Sequence, residues 1–171
     1  MSANAIARGR LSFVETMSAL QCQPADIGWG SDTIVFFNDS SRFDYSRPDA
    51  LVDPRSGVIC IPNNFEYGPD RHLAEGMVRV TCLANYDRWI SLDEAGYLAA
   101  KQQWFSAVQQ SAQRFLPPLT APDAVEHATV ATDMFTPRTI TKFTGHFDGA
   151  IYGAATKNRE GRTILLSLIH I

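Results

Sequence analysis

Met77-Val-Arg-Val-Thr-Cys-Leu-Ala84 decides the fold class, because its residues change character at almost every step. Val78, Val80, Cys82 and Ala84 fall on one side of an extended chain, with Arg79 and Thr81 on the other. A period of two marks a strand buried on one face. Two further β-rich runs precede it. Thr33 to Phe37 stops at the turn cluster Asn38-Asp39-Ser40-Ser41, and Gly57 to Ile61 is closed by Pro62, a residue that cannot donate to a ladder. The connections, Arg42 to Arg55 and Asn63 to Gly76, are polar loops. Strands joined without intervening helices predict antiparallel pairing rather than a βαβ arrangement.

After these strands comes the longest helical pattern, Leu92 to Leu116. Leu92, Ala95, Leu98, Phe105, Val108, Ala112 and Phe115 recur at helical spacing and form one apolar stripe. Ser91 with Glu94 three residues later reads as a capping box. Pro117-Pro118 ends the helix, since proline lacks the amide hydrogen and clashes with the preceding turn. Gly9 to Leu20 reads as an amphipathic helix or an interface element, on Leu11, Phe13, Val14, Met17 and Leu20, ended by Pro24 and Gly28. Val125 to Thr132 and Thr139 to Phe143 read as two more strands. The predicted class is α+β: an antiparallel sheet with a long amphipathic helix.

A chain of 171 residues has the length of one domain. Hydrophobic residues at 45% and charged residues at 19% argue against disorder. A net charge of -3 offers no basic patch for nucleic acid. No apolar run has the length of a membrane span, and the N-terminus lacks the apolar centre of a signal peptide, so cytoplasmic residence is expected. Cys22, Cys60 and Cys82 are an odd number at wide spacing; Cys60 and Cys82 in apolar runs read as inert buried thiols.

Chemistry motifs are sparse. Gly28-Trp-Gly30 lacks a third glycine at Thr33 and leads into a strand, so it reads as a turn rather than a dinucleotide fingerprint. His72, His127, His146 and His170 are scattered and predict no metal site. No nucleophile elbow and no phosphate loop is present. Asn38-Asp39-Ser40 fits a glycosylation sequon but, without a secretory signal, is a turn.

One stretch stands apart: Met-Phe-Thr-Pro-Arg-Thr-Ile-Thr-Lys-Phe-Thr-Gly-His-Phe-Asp-Gly-Ala-Ile-Tyr-Gly-Ala, residues 134–154. Pro137 biases Thr136 toward extended geometry, and Arg138, Ile140 and Lys142 would then share one strand face. Gly145, Gly149 and Gly153 follow; glycine permits positive φ and close approach of a flat ligand to the backbone. Gly149-Ala-Ile-Tyr-Gly153 could set Tyr152 beside a planar cofactor. The same pattern also fits a glycine-rich hairpin in which Tyr152 is packing. His146 is either a ligand neighbour or an exposed turn histidine.

This stretch resembles the segment just before the C-terminal flavin-binding motif of phytoene desaturase and carotenoid isomerase type FAD oxidoreductases. The resemblance runs in order from about Gly9 to Ala155. Gly9-Arg-Leu-Ser-Phe13 to Gly28 looks like the family's helix before a substrate-domain strand. Thr33 to Phe37, Gly57 to Pro62 and Met77 to Ala84 look like its antiparallel sheet. Tyr97, Lys101 and Leu116-Pro117 look like its following helix, and Val125-Glu126, Ala131-Thr132 and Thr136-Pro-Arg138 like its approach to the flavin. Family members often carry Pro-Ser and a following Asp where this chain has Pro62-Asn63-Asn64, which leaves the substrate class open.

The resemblance implies part of a two-domain flavoprotein: residues 1–155 a partial substrate-binding domain running into the flavin-facing loop, 156–165 its truncated continuation. Read back into DNA, Leu166-Ser-Leu-Ile-His-Ile171 matches the end of a transposon-based sequencing adapter, so 166–171 is set outside the fold. FAD is the implied cofactor of the parent, with Gly149, Ala150, Tyr152 and Gly153 toward it and Arg138, Lys142 and His146 toward substrate. The implied substrate is a long apolar, polyene-like molecule, desaturated, saturated or isomerised, with peripheral membrane contact in the parent. The neighbouring expectations are an amine-oxidase-like fragment, or a complete non-catalytic α+β domain that binds an apolar ligand. The fragment itself is expected to be inactive and to hold FAD weakly.

Overall fold

The computed structural model describes residues 11–42, 46–68 and 70–151. Five strands, β1 (Ser12–Leu20), β2 (Ile34–Asn38), β3 (Val52–Cys60), β4 (Gly76–Ala84) and β5 (Thr129–Phe135), form one sheet in the order β2-β3-β4-β1-β5. Every neighbouring pair is antiparallel, as loops without crossover helices require. Among the described residues there are four α-helices: α1 (Tyr86–Ile90), α2 (Glu94–Gln113), α3 (Ala124–Ala128) and α4 (Pro137–Thr144). The chain is α+β.

The centre of the sheet is the β1–β4 pair, in unbroken register from Ser12 opposite Ala84 to Leu20 opposite Gly76. Val78, Val80, Cys82 and Ala84, the residues singled out by the alternation of β4, are all buried. They share a face with Ser12, Val14, Thr16, Ser18 and Leu20 of β1, every one of them buried. Helix α2 closes this face with Ala100, Val108 and Ala112, while Leu98 stays 58% exposed and lies off the stripe. Phe37 of β2 stacks on Phe115 beyond the helix end, with ring centroids 4.9 Å apart. Trp89 of α1 is wholly buried, meets Tyr97 edge-on at 5.8 Å, and donates its indole N–H to the Leu51 carbonyl at 3.0 Å.

Four local expectations are corrected. The segment expected as a helix in Gly9 to Leu20 is strand β1 over its described part, because the buried positions alternate through small polar residues. Ser12 and Thr16 satisfy their hydroxyls on the Gly149 and Val80 carbonyls, at 2.6 and 3.4 Å. The long helix expected over Leu92 to Leu116 is α2, but its cap is not Ser91. Ser91 ends α1, and the cap of α2 is Asp93, whose carboxylate accepts the Gly96 N–H at 2.7 Å. Val125 to Thr132 divides into α3 and the start of β5. Thr139 to Phe143 is helical, inside α4: Thr136 caps it, Pro137 takes the first turn, and Gly145 ends it in the left-handed region at φ 69°. Proline at the first position and glycine just past the end are the natural bounds of a helix.

Candidate functional site

The second face of the sheet is set by the other half of the alternation. Register places Phe36, Val58, Thr81 and Glu15 in one row across β2, β3, β4 and β1, and Ile34, Cys60, Arg79 and Met17 in the next. Phe13 and Leu83 face each other one row further along. Of these, Phe13, Glu15, Phe36, Val58, Cys60, Arg79, Thr81 and Leu83 line, with Ile151, an open concavity of about 880 Å3, a size typical of small-molecule sites, roughly 300–1,000 Å3. Phe36 is 80% exposed and Ile34 46%, so apolar surface faces outward there.

One ion pair interrupts this apolar wall. The Arg79 guanidinium donates through Nε to Oε1 of Glu15. Glu15 lies low in the face with its side chain 14% exposed, and Arg79 projects above it at 42%. The hydrogen bond that Arg79 donates to Glu15 holds the guanidinium pKa above its ordinary value. Next to Arg79, burial pushes the Cys60 thiol above its ordinary value. Cys82, deep on the helix side, is pushed up to about 12 by burial.

The described site residues expected from sequence lie at one end of the sheet. Arg138, in the first turn of α4, holds its guanidinium 4.1 Å from the Tyr97 ring centroid, and its Nη2 is 3.3 Å from Glu94. Its Nη1 is buried without a hydrogen-bond partner. Tyr97 in turn reaches the capping hydroxyl of Thr136 at 3.0 Å. Lys142 sits one turn further along α4, exposed, with Nζ 5.2 Å from the Phe143 ring. The strand-face grouping of Arg138, Ile140 and Lys142 does not exist. The helix keeps Arg138 and Lys142 on one side by i, i+4 spacing and buries Ile140.

His146 is half-buried, with Nδ1 2.8 Å from the Ala150 carbonyl. Gly149 takes φ 57° and accepts the Ser12 hydroxyl at 2.6 Å; Ala150 is 7% exposed. A Cβ on Gly149 would lie 2.8 Å from the Pro137 carbonyl, so the glycine is required by the protein's own packing. Ile151 donates its N–H to the Leu11 carbonyl at 2.9 Å and turns its side chain toward the concavity. Tyr152 and Gly153 lie outside the described residues. Gly149 and Ala150 are therefore seated against β1 and α4. Among the described residues, no group of His, Cys, Asp and Glu could hold a metal ion, and no helix is long and apolar enough to cross a membrane.

Sequence motifs passed over the wall-forming residues Phe13, Phe36, Val58, Leu83, Glu15 and Arg79. Their signal lay in the adjacent Phe36-Phe37 pair: consecutive strand residues point to opposite faces, so burying one phenylalanine must expose the other. Compared with known proteins, the chain matches no family model, no curated protein and no solved structure.

Proposed function

We propose that the chain is the substrate-binding part of an FAD-dependent oxidoreductase resembling phytoene desaturases and carotenoid isomerases. It forms the wall against which a long apolar, polyene-like substrate is desaturated, saturated or isomerised, and alone it is inactive. The observation that supports this reading is the open apolar face, with the loop leaving α4 reaching its rim at Ile151. In the parent, FAD would supply the redox chemistry; the residues of this chain supply an apolar wall, orient the substrate and exclude water. Arg138 and His146, which the resemblance assigns to the substrate, lie at the same end of the sheet as Ile151.

The other readings fit less well. A complete non-catalytic module would leave no large exposed apolar face, yet Phe36 and Ile34 are outward here. An amine oxidase needs an open aromatic cage; Arg138 already occupies a face of Tyr97, and Trp89 is wholly buried.

Sequencing the DNA on either side of the reading frame tests the proposal. A strand, glycine turn and helix upstream, and a second flavin motif downstream, are expected. Stop codons immediately outside both ends would refute it. Purification offers a second check: the chain should be colourless, and a yellow, flavin-loaded monomer would contradict its inactivity alone.

A further inference from the structure

Within that reading, and resting on it, the wall has a chemical asymmetry that a plain hydrocarbon does not use. Arg79, Thr81 and Leu83 follow one another along the outward side of β4, about 13 Å from first to last at strand spacing. Leu83 faces Phe13 and lies toward the apolar end, while Arg79 stands between Met17 and Cys60 at the other. Glu15 engages only Nε of Arg79. The two terminal amino groups have no acceptor among the described residues, and the side chain stands higher than its carboxylate partner.

An arginine placed this way is a fork. With Nε on Glu15, the end-on edge formed by one N–H from each Nη remains, in the planar geometry that takes a carboxylate in two parallel hydrogen bonds. The apolar surroundings lower the local dielectric and strengthen that attraction. A neutral chain laid across the same wall would strip water from the guanidinium and return no hydrogen bond.

We propose that the open face binds an amphipathic acid: a long unsaturated apolar chain lying over Phe36, Val58, Leu83 and Phe13, with its carboxylate held by the Nη groups of Arg79.

The probes are cis-parinaric acid, a fluorescent polyene acid, and its methyl ester, titrated into the full chain below their aggregation concentrations. The acid should bind about tenfold more tightly than the ester, the worth of one charge-assisted contact. Glu15→Gln removes the competing carboxylate and should tighten the acid several-fold while leaving the ester unchanged. Arg79→Gln should abolish the preference. The double variant Glu15→Gln/Arg79→Gln leaves no lone charge in the sheet, and should fold and bind acid and ester alike.

Three results would overturn the proposal. A preference for the acid that survives in the double variant places the head group elsewhere. Equal affinity for acid and ester in the unmodified chain, with both weakened by Phe36→Asp, removes the head-group contact and leaves the apolar-substrate reading standing. Binding of neither probe, with a dimer that Phe36→Asp dissociates, makes the face a contact between copies and defeats both readings.

Discussion

Gly149→Ala is the substitution most sensitive to how the loop after α4 is seated. Two glycines close this region in the left-handed conformation, Gly145 at φ 69° and Gly149 at φ 57°. An alanine at either incurs the same backbone penalty, about 1–2 kcal/mol. Their surroundings differ. A Cβ on Gly145 meets nothing within 4 Å. On Gly149 it meets the Pro137 carbonyl at 2.8 Å, and the Ser12 hydroxyl and Tyr86 ring at 3.0 Å each. The Pro137 carbonyl is helical backbone and already accepts the Thr141 hydroxyl at 3.2 Å, so it does not retreat cheaply. Overpacking of this kind adds about 1–3 kcal/mol. Gly145→Ala should therefore cost about 1–2 kcal/mol, and Gly149→Ala about 2–5 kcal/mol. Urea unfolding followed by tryptophan fluorescence reads the difference, and thermal midpoints should separate by about 2–4 °C per kcal/mol. In a Ser12→Ala background the Gly149 carbonyl has already lost its donor, so the excess at Gly149 should shrink rather than add. Equal costs at the two glycines would refute the seating of 149–151 on β1.

Three further outcomes follow from the same packing. Asp53 accepts the backbone N–H of Arg55 at 3.1 Å and its guanidinium at 2.8 and 2.9 Å, which holds the carboxyl below its ordinary 3.8. A depressed folded pKa stabilises above the unfolded value, and that stability is lost as pH falls through the folded one. Asp53→Asn should cost about 1 kcal/mol at pH 7, with the gap to the unmodified chain narrowing as pH falls below 3.8 toward the folded value; a gap that does not narrow in acid would refute the ionic assignment. Cys82, 1% exposed and pushed up to about 12, should react with a thiol reagent at pH 8 only as fast as the chain unfolds, after Cys22 and Cys60. Rapid labelling of all three native thiols would contradict that. Trp89→Phe keeps the ring but removes the indole donor from the Leu51 carbonyl, and should cost about 1–3 kcal/mol in urea unfolding, against about 3–5 kcal/mol for Trp89→Ala.

The sheet was legible where burial is written in apolar residues. β4 shows it plainly, since Val78, Val80, Cys82 and Ala84 are both the alternating set and the buried set. β1 is equally regular in space but not in letters: Ser12, Thr16 and Ser18 hold three of its five buried positions. A hydropathy pattern cannot register a small hydroxyl that is buried because a distant carbonyl awaits it, as Gly149 does for Ser12 across 137 positions of sequence. The candidate site was hidden for a related reason. Its wall is assembled from the outward residues of four strands, each an ordinary surface residue within its own strand. Only the register makes neighbours of Phe36, Val58, Thr81 and Glu15.

Residues 137–144 show which local signal prevails when two conflict. Thr139-Ile-Thr-Lys-Phe143 is β-rich in its interior, with two threonines, an isoleucine and a phenylalanine. Its boundaries are those of a helix: Thr136 as cap, Pro137 in the first turn, Gly145 just past the end. The interior preference is worth at most about 0.7 kcal/mol per residue. It is offset because the helix buries Ile140, and the threonines at 141 and 144 return their hydroxyls to carbonyls four residues back, at 3.2 and 2.8 Å. The consequence reaches the site. An extended chain here would have carried Arg138 and Lys142 on one strand face with Ile140 between them. The helix instead lays Arg138 on Tyr97 and leaves Lys142 in solvent, so the two cations have separate tasks. Removing the charge at Lys142 should leave stability untouched, whereas Arg138→Ala should uncover Tyr97 and destabilise the α2–α4 contact by about 1–2 kcal/mol, the cation–π term together with the lost guanidinium packing. Equal effects of the two substitutions on the urea midpoint would mean that α4 does not seat Arg138 on the ring.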